Sequence, residues 1–218
     1  MAKKILYILT LFAFTTFTAT TVYGSDIKGK VAIKNAVTRK NLRGLSALYS
    51  KPGSQSESAT NPENIIVYIK DISGTPAKPI HDAKLQQIDK IFVPHVLPVT
   101  VGTAVEFPNL DEIYHNVFSL SKNNEFNLGK YAMGKSNSHT FTKPGVVEVF
   151  CDIHSGMYGY IIVLTNNYFA RVDKDGNYVI KDVPPGNYTL VAWHESFPPK
   201  EYTITVTQTG EVIQNIEF

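Results

Sequence analysis

Between Leu85 and Leu164 the chain is an almost unbroken series of short β-prone runs separated by turn residues, and this constrains the fold more than any other feature. The predicted strands are Gln87–Val93, Val96–Val101, Ala104–Phe107, His115–Leu120, Ser138–Thr142, Val146–Cys151 and Tyr158–Leu164. Gly102-Thr103 and Lys143-Pro144-Gly145 read as hairpin turns. Ile161-Ile162-Val163-Leu164 is apolar on both faces, which predicts a strand covered on both sides. Composition agrees, with 43% hydrophobic and only 18% charged residues. The expectation is an all-β protein built as a sandwich or barrel.

The last-but-one of these strands ends at the chain's single cysteine, in Val149-Phe150-Cys151-Asp152-Ile153-His154-Ser155-Gly156-Met157. A thiolate, an imidazole and a thioether in one short loop form the soft, mixed ligand set that suits copper. Val147, Val149 and Cys151 share a strand face, so the thiol is expected to point into the sandwich. His115, at the start of another predicted strand, is the best candidate for the fourth ligand. His115, Cys151 and His154 with a weak axial Met157 would make a trigonal blue-copper site for one ion. Taken singly, each His or Met is more often a packing residue, and a lone cysteine is often inert core. The joint spacing argues for ligation.

Other metal and catalytic readings fail on the same residues. The chain has no His-x-His pair and no His-Glu-x-x-His, and one cysteine cannot build a binuclear copper centre. An enzyme is not expected. His81, His95, His139 and His194 have no ligand spacing among themselves and are read as structural or solvated. A second site from His95 and His194 would require the fold to bring them together.

The ends differ from the middle. Residues 1–24 carry Lys3 and Lys4, an apolar run from Ile5 to Phe17 and a small-residue end at Gly24, the pattern of a secretory signal peptide. The run is shorter than the roughly 20 residues of a spanning helix, so the expectation is a periplasmic or secreted protein with no stable membrane anchor after cleavage. Without Lys3 and Lys4 the 21 Lys and Arg become 19, against 19 Asp and Glu. A near-neutral chain without a basic patch does not read as a nucleic-acid binder. Export also makes an unoccupied lone thiol a liability, which ligation would remove.

Ile27–Ile33 alternates as a half-buried strand, residues 50–64 read as a polar surface loop, Ile65–Ile69 as a strand, and Ser73–Pro79 as a linker. In the tail, Asp173-Lys174-Asp175-Gly176-Asn177 and Val183-Pro184-Pro185-Gly186-Asn187 are turns around Tyr178-Val179-Ile180. Asp-x-Asp-Gly lacks the further acidic positions of a calcium loop, so it is read as a turn.

Cys151-x2-His154-x2-Met157 and His115-Asn116 resemble the cupredoxin family, with the ligand spacing of its amicyanin branch. The resemblance implies a Greek-key sandwich over residues 80–166, single-electron transfer with a redox protein partner, and Asn116 tying the two ligand loops together. The tail, in Asp173-x-Asp175-Gly176-x-Tyr178 and Val183-Pro184-Pro185-Gly186-x-Tyr188-x-Leu190, resembles a carboxypeptidase regulatory-like β-sandwich. The combination is similar to bacterial exported proteins labelled methylamine utilization proteins. Residues 167–218 are short for a complete sandwich, and residues 26–73 resemble its missing strands, so the second sandwich is expected to be split by the first. A copper storage or delivery protein, or a non-redox binding module, are the rival functions.

Overall fold

The computed structural model describes residues 24–34 and 61–218; the predicted signal segment, except for Gly24, and most of the 50–64 loop lie outside the described residues. Strand β1 (Ser25–Ala32), a 3-10 turn (Pro62–Asn64) and β2 (Ile66–Ile69) come first. A central lobe follows, made of β3 (Gln86–Ile88), β4 (Ile91–Val93), β5 (Val96–Thr100), β6 (Ala104–Pro108), β7 (His115–Ser119), β8 (Phe126–Tyr131), β9 (Ser136–Thr140), β10 (Gly145–Phe150) and β11 (Tyr158–Leu164). The chain closes with β12 (Phe169–Arg171), β13 (Asn177–Val183), β14 (Gly186–His194), β15 (Phe197–Val206), β16 (Glu211–Ile213) and β17 (Ile216–Glu217). The protein is all-β; among the described residues no helix is long and apolar enough to cross a membrane.

One sheet of the central lobe has the order β5-β11-β10-β7-β8, with β5 and β11 parallel and its other pairs antiparallel. Opposite it stand the pairs β3-β4 and β6-β9, linked by bridges from Lys84 to Glu106 and Gln87 to Asn109. The core between them gathers Leu85, Phe92, Phe107, Phe141, Val147, Val149 and Ile161, with Cys151 and Met157 at its edge in sequence and fully buried.

Three sequence expectations need correction here. Gln87–Val93 is not one strand but a hairpin, because Asp89 (φ 53°) and Lys90 (φ 61°) both take the left-handed conformation of a two-residue type I′ turn. Neither residue is the glycine that usually announces such a turn. Gly102-Thr103 and Lys143-Pro144-Gly145 are turns but not hairpins: β5 pairs with β11 while β6 pairs with β9, and β9 and β10 likewise belong to different sheets. They carry the chain across the sandwich. Strand β8, rich in Asn, Gly and Lys, lacks a periodic apolar signal and went unpredicted.

The second lobe draws on both ends of the chain. Strand β1 lies between β13, antiparallel, and β16, parallel, and also pairs in parallel with β17; β2 lies between β12 and β14. Ile27, Val31, Ile65 and Val67 share its core with Ile180, Leu190, Ile204 and Phe218. Gly29 is required where β1 meets the chain before β17, since a Cβ there would lie 1.9 Å from the Gln214 carbonyl oxygen. The segments leading into and out of the central lobe are tied side by side. Asn166 Nδ2 donates to the Ile69 carbonyl (2.9 Å), and Asn167 Oδ1 accepts from the Lys78 amide (2.7 Å).

The lobes share a third apolar cluster. Every residue of β11 is buried, with Ile161 and Val163 facing the central core and Tyr158, Tyr160, Ile162 and Leu164 facing outward. That outward row, with Val96 and Phe150, packs on Ile66 and Trp193 of the second lobe. The two-sided burial expected of Ile161–Leu164 is met by a different lobe on each face.

Candidate metal centre

Four loops and strand ends converge at one end of the central sandwich. Cys151 follows β10 directly, so the strand's alternation carries Val147, Val149 and Cys151 into the core, all three with no exposure. The chain then turns back on itself. The Met157 amide donates to the His154 carbonyl (3.2 Å) and the Cys151 amide to the Met157 carbonyl (3.1 Å), and Gly156 sits at φ 88°, where a side chain would be strained. Met157, which opens onto β11, is fully buried in the same cluster as Cys151. His154 is half-buried at the loop's crest.

His115 begins β7 and is wholly buried. Its Nδ1 lies 3.7 Å from Cys151 Sγ and 3.1 Å from His154 Nδ1, and His154 Nδ1 lies 3.8 Å from the same sulfur. Among the described residues this is the one group of three His, Cys, Asp or Glu whose donor atoms converge in this way. A first-row ion bound at about 2.0–2.3 Å by each donor fits among atoms so spaced. The donor chemistry fits as well: two imidazoles and a thiol with a buried thioether nearby form a soft set that suits copper.

The surrounding hydrogen bonds orient these groups. Asn116 Oδ1 accepts from the Asp152 amide (2.7 Å), joining β7 to the residue after Cys151. His115 Nε2 lies 2.8 Å from Asp111 Oδ2. Burial works against a charge on Asp111, but hydrogen bonds from the Lys90 amide, His115 and the Asp89 amide bring its carboxyl below the ordinary range. An ionised carboxylate can only accept, so His115 donates from Nε2 and presents its Nδ1 side to the thiol. Beneath the site, Tyr131 donates to the Phe107 carbonyl (2.7 Å) and accepts from Gln87 Nε2 (2.8 Å). Burial, opposed by that Gln87 bond and reinforced by Cys151, pushes its phenol up to about 12.

Asp111 is the residue that sequence reasoning missed. Its signal was present as Asp111-x3-His115, but a carboxylate four residues ahead of a histidine in a loop has no fixed geometry until the loop is folded. The remaining histidines stand apart from the centre. His95 Nε2 contacts Glu195 Oε1 (3.0 Å), His139 stacks on Phe126, and His194 Nδ1 accepts from the Ser196 amide with its ring against Phe197. Among the described residues, His95 and His194 belong to no convergent donor group of three.

Comparisons with known proteins follow the two lobes. Residues 81–164 match the family described as copper binding proteins, plastocyanin/azurin family. Residues 155–218 match the carboxypeptidase regulatory-like domain, so the two matches overlap on β11, the strand buried between the lobes. Among solved structures, a purple cupredoxin from Nitrosopumilus maritimus is 26% identical, with 38% of this chain and 99% of that one covered and a TM-score of 0.35. A Cu-containing nitrite reductase from Thermus scotoductus is 29% identical over 44% of this chain, with a TM-score of 0.37; the match spans 25% of that enzyme. An amicyanin variant in the reduced state is 21% identical over 44% of this chain and 97% of its own, with a TM-score of 0.36. Curated proteins give no match. The chain thus carries a copper-binding cupredoxin domain of the plastocyanin/azurin type joined to a carboxypeptidase regulatory-like domain, with copper as its cofactor.

Proposed function

We propose that this protein is a carrier of single electrons, holding one type 1 copper ion with His115, Cys151 and His154 and, more weakly, Met157. The observation that carries the reading is the convergence of three donors within 3.8 Å of one another, His115 from β7 and Cys151 and His154 from a loop closed by its own backbone hydrogen bonds. When bound, copper supplies a one-electron couple. The chain's part is to hold the donors still. The buried His115 is fixed by Asp111, Cys151 by strand β10, and His154 by a loop that Asn116 ties to β7. Ligands that cannot relax suit both oxidation states with little reorganisation, which favours rapid transfer over chemistry on a substrate.

The half-buried His154 is the ligand that reaches the surface. The loops at this end expose Leu110 (49%), Tyr114 (61%) and Met133 (55%), an apolar rim on which a redox protein partner would dock. We read the protein as exported, with residues 1–24 removed, and not as an enzyme in itself. The test is the visible spectrum and voltammetry of the copper-loaded chain. An intense blue band with a reversible one-electron wave is expected. A colourless complex that hands Cu(I) to a chelator would favour delivery instead.

A further inference from the structure

Asp111 joins two parts of the molecule that sequence keeps apart. Its Oδ1 accepts from the Asp89 amide (2.6 Å), and its Oδ2 accepts from both the Lys90 amide (2.9 Å) and His115 Nε2 (2.8 Å). Its own amide donates to Asn109 Oδ1 (3.0 Å), while Asn109 Nδ2 donates to the Ile113 and Tyr131 carbonyls. The carboxylate is therefore held on both sides. Asp89 and Lys90 are the two left-handed residues of the β3-β4 turn, so both amides at its tip point the same way and form a small anion cradle. A left-handed backbone carries a strain cost for any residue with a side chain. The bonds to Asp111 offset that cost, and the turn in return fixes the carboxylate.

On the ligand side, the carboxylate fixes the ring plane of His115 and its tautomer. A carboxylate beside the far nitrogen also makes Nδ1 a stronger donor, an effect that favours the more highly charged ion. We propose that Asp111 is a positioning residue that sets the Cu(II) affinity and the reduction potential of the centre through His115, with the exposed Asp89-Lys90 turn as its anchor. This rests on the copper reading of the site given above.

The test is Asp111→Asn in the full-length chain, which keeps size but removes the charge. Cu(II) affinity should fall about 10- to 100-fold, with a smaller loss for Cu(I). Each tenfold difference between the two losses raises the potential by about 59 mV. A folded Asp111→Asn protein with unchanged potential and Cu(II) affinity overturns the proposal. A second measurement does not depend on the variant folding: the 1H–15N spectrum of the unsubstituted, metal-free protein should show His115 protonated at Nε2, with that proton slow to exchange. An Nδ1–H tautomer there also overturns it. A wild-type chain that takes up no copper overturns the electron-carrier reading with it, whereas a blue wild-type with an indifferent Asp111→Asn overturns this inference alone.

Discussion

Asn116 Oδ1 accepts the backbone amide of Asp152 at 2.7 Å, so the strand that begins at His115 and the loop that follows Cys151 are joined one residue beyond His115 and Cys151. Asn116 is itself only 2% exposed, while Asp152 is exposed, so the bond sits at the edge of the core. Asn116→Ala should cost about 0.5–1.5 kcal/mol of stability for the lost hydrogen bond and loosen the loop. Chemical denaturation of the metal-free chain checks the first effect. A Cu(II) affinity about 10-fold or more below wild type checks the second.

The ligand roles separate spectroscopically. Cys151→Ser replaces the thiol with a hydroxyl and should abolish the intense visible absorption. Met157→Leu keeps a buried apolar side chain of similar volume, so it should leave the colour and raise the reduction potential. A full blue band in Cys151→Ser would refute the site.

Split strands predict which pieces can fold. Residues 168–218 lack β1 and β2, the strands at the middle of both second-lobe sheets, so that fragment should show no cooperative unfolding by circular dichroism. Residues 80–166 contain the whole metal centre but lay bare Val96, Phe150, Tyr158, Tyr160, Ile162 and Leu164. That fragment should bind copper yet self-associate on gel filtration, and Tyr160→Ser with Ile162→Thr should return it to a monomer. We propose on this basis that the central lobe is an insertion in the second.

Trp193 is the single tryptophan, it is 7% exposed, and its ring lies 5.3 Å from that of Tyr160 across the lobe boundary. Its fluorescence therefore reports lobe docking directly. Trp193→Ala should destabilise the protein by about 3–5 kcal/mol. Copper affinity should change little, because the ligands and their hydrogen bonds lie in the other lobe.

Acid should weaken the second lobe through His194. Burial, partly offset by Glu195 and reinforced by His95, lowers His194 from 6.5 to about 4. The unfolded chain then binds a proton between those values that the folded chain does not. Stability present above pH 6.5 is lost as pH falls toward 4, by up to about 3 kcal/mol. His194→Gln, which retains an acceptor for the Ser196 amide, should flatten the pH dependence of the unfolding midpoint in that window.

Local spacing determined much of this protein without help from the fold. Cys151, His154 and Met157 lie on one loop, so their convergence depends on a few turns the chain makes on itself. The all-β character and the double-faced burial of Ile161–Leu164 were likewise written in local composition. Tertiary structure decided the rest, because those features depend on residues far apart in sequence. Asp111 acquires its role only when the β3-β4 turn comes within hydrogen-bond reach, and that turn uses Asp89 and Lys90, which carry no turn signature. The turns after β5 and β9 look like hairpins until distant strands claim both neighbours. Strand β8 has too little apolar pattern to be seen alone and is held by pairing to β7. What covers the outer face of β11 is set by Ile66 and Trp193, which reach it from opposite ends of the chain, a match of shapes that no local pattern encodes.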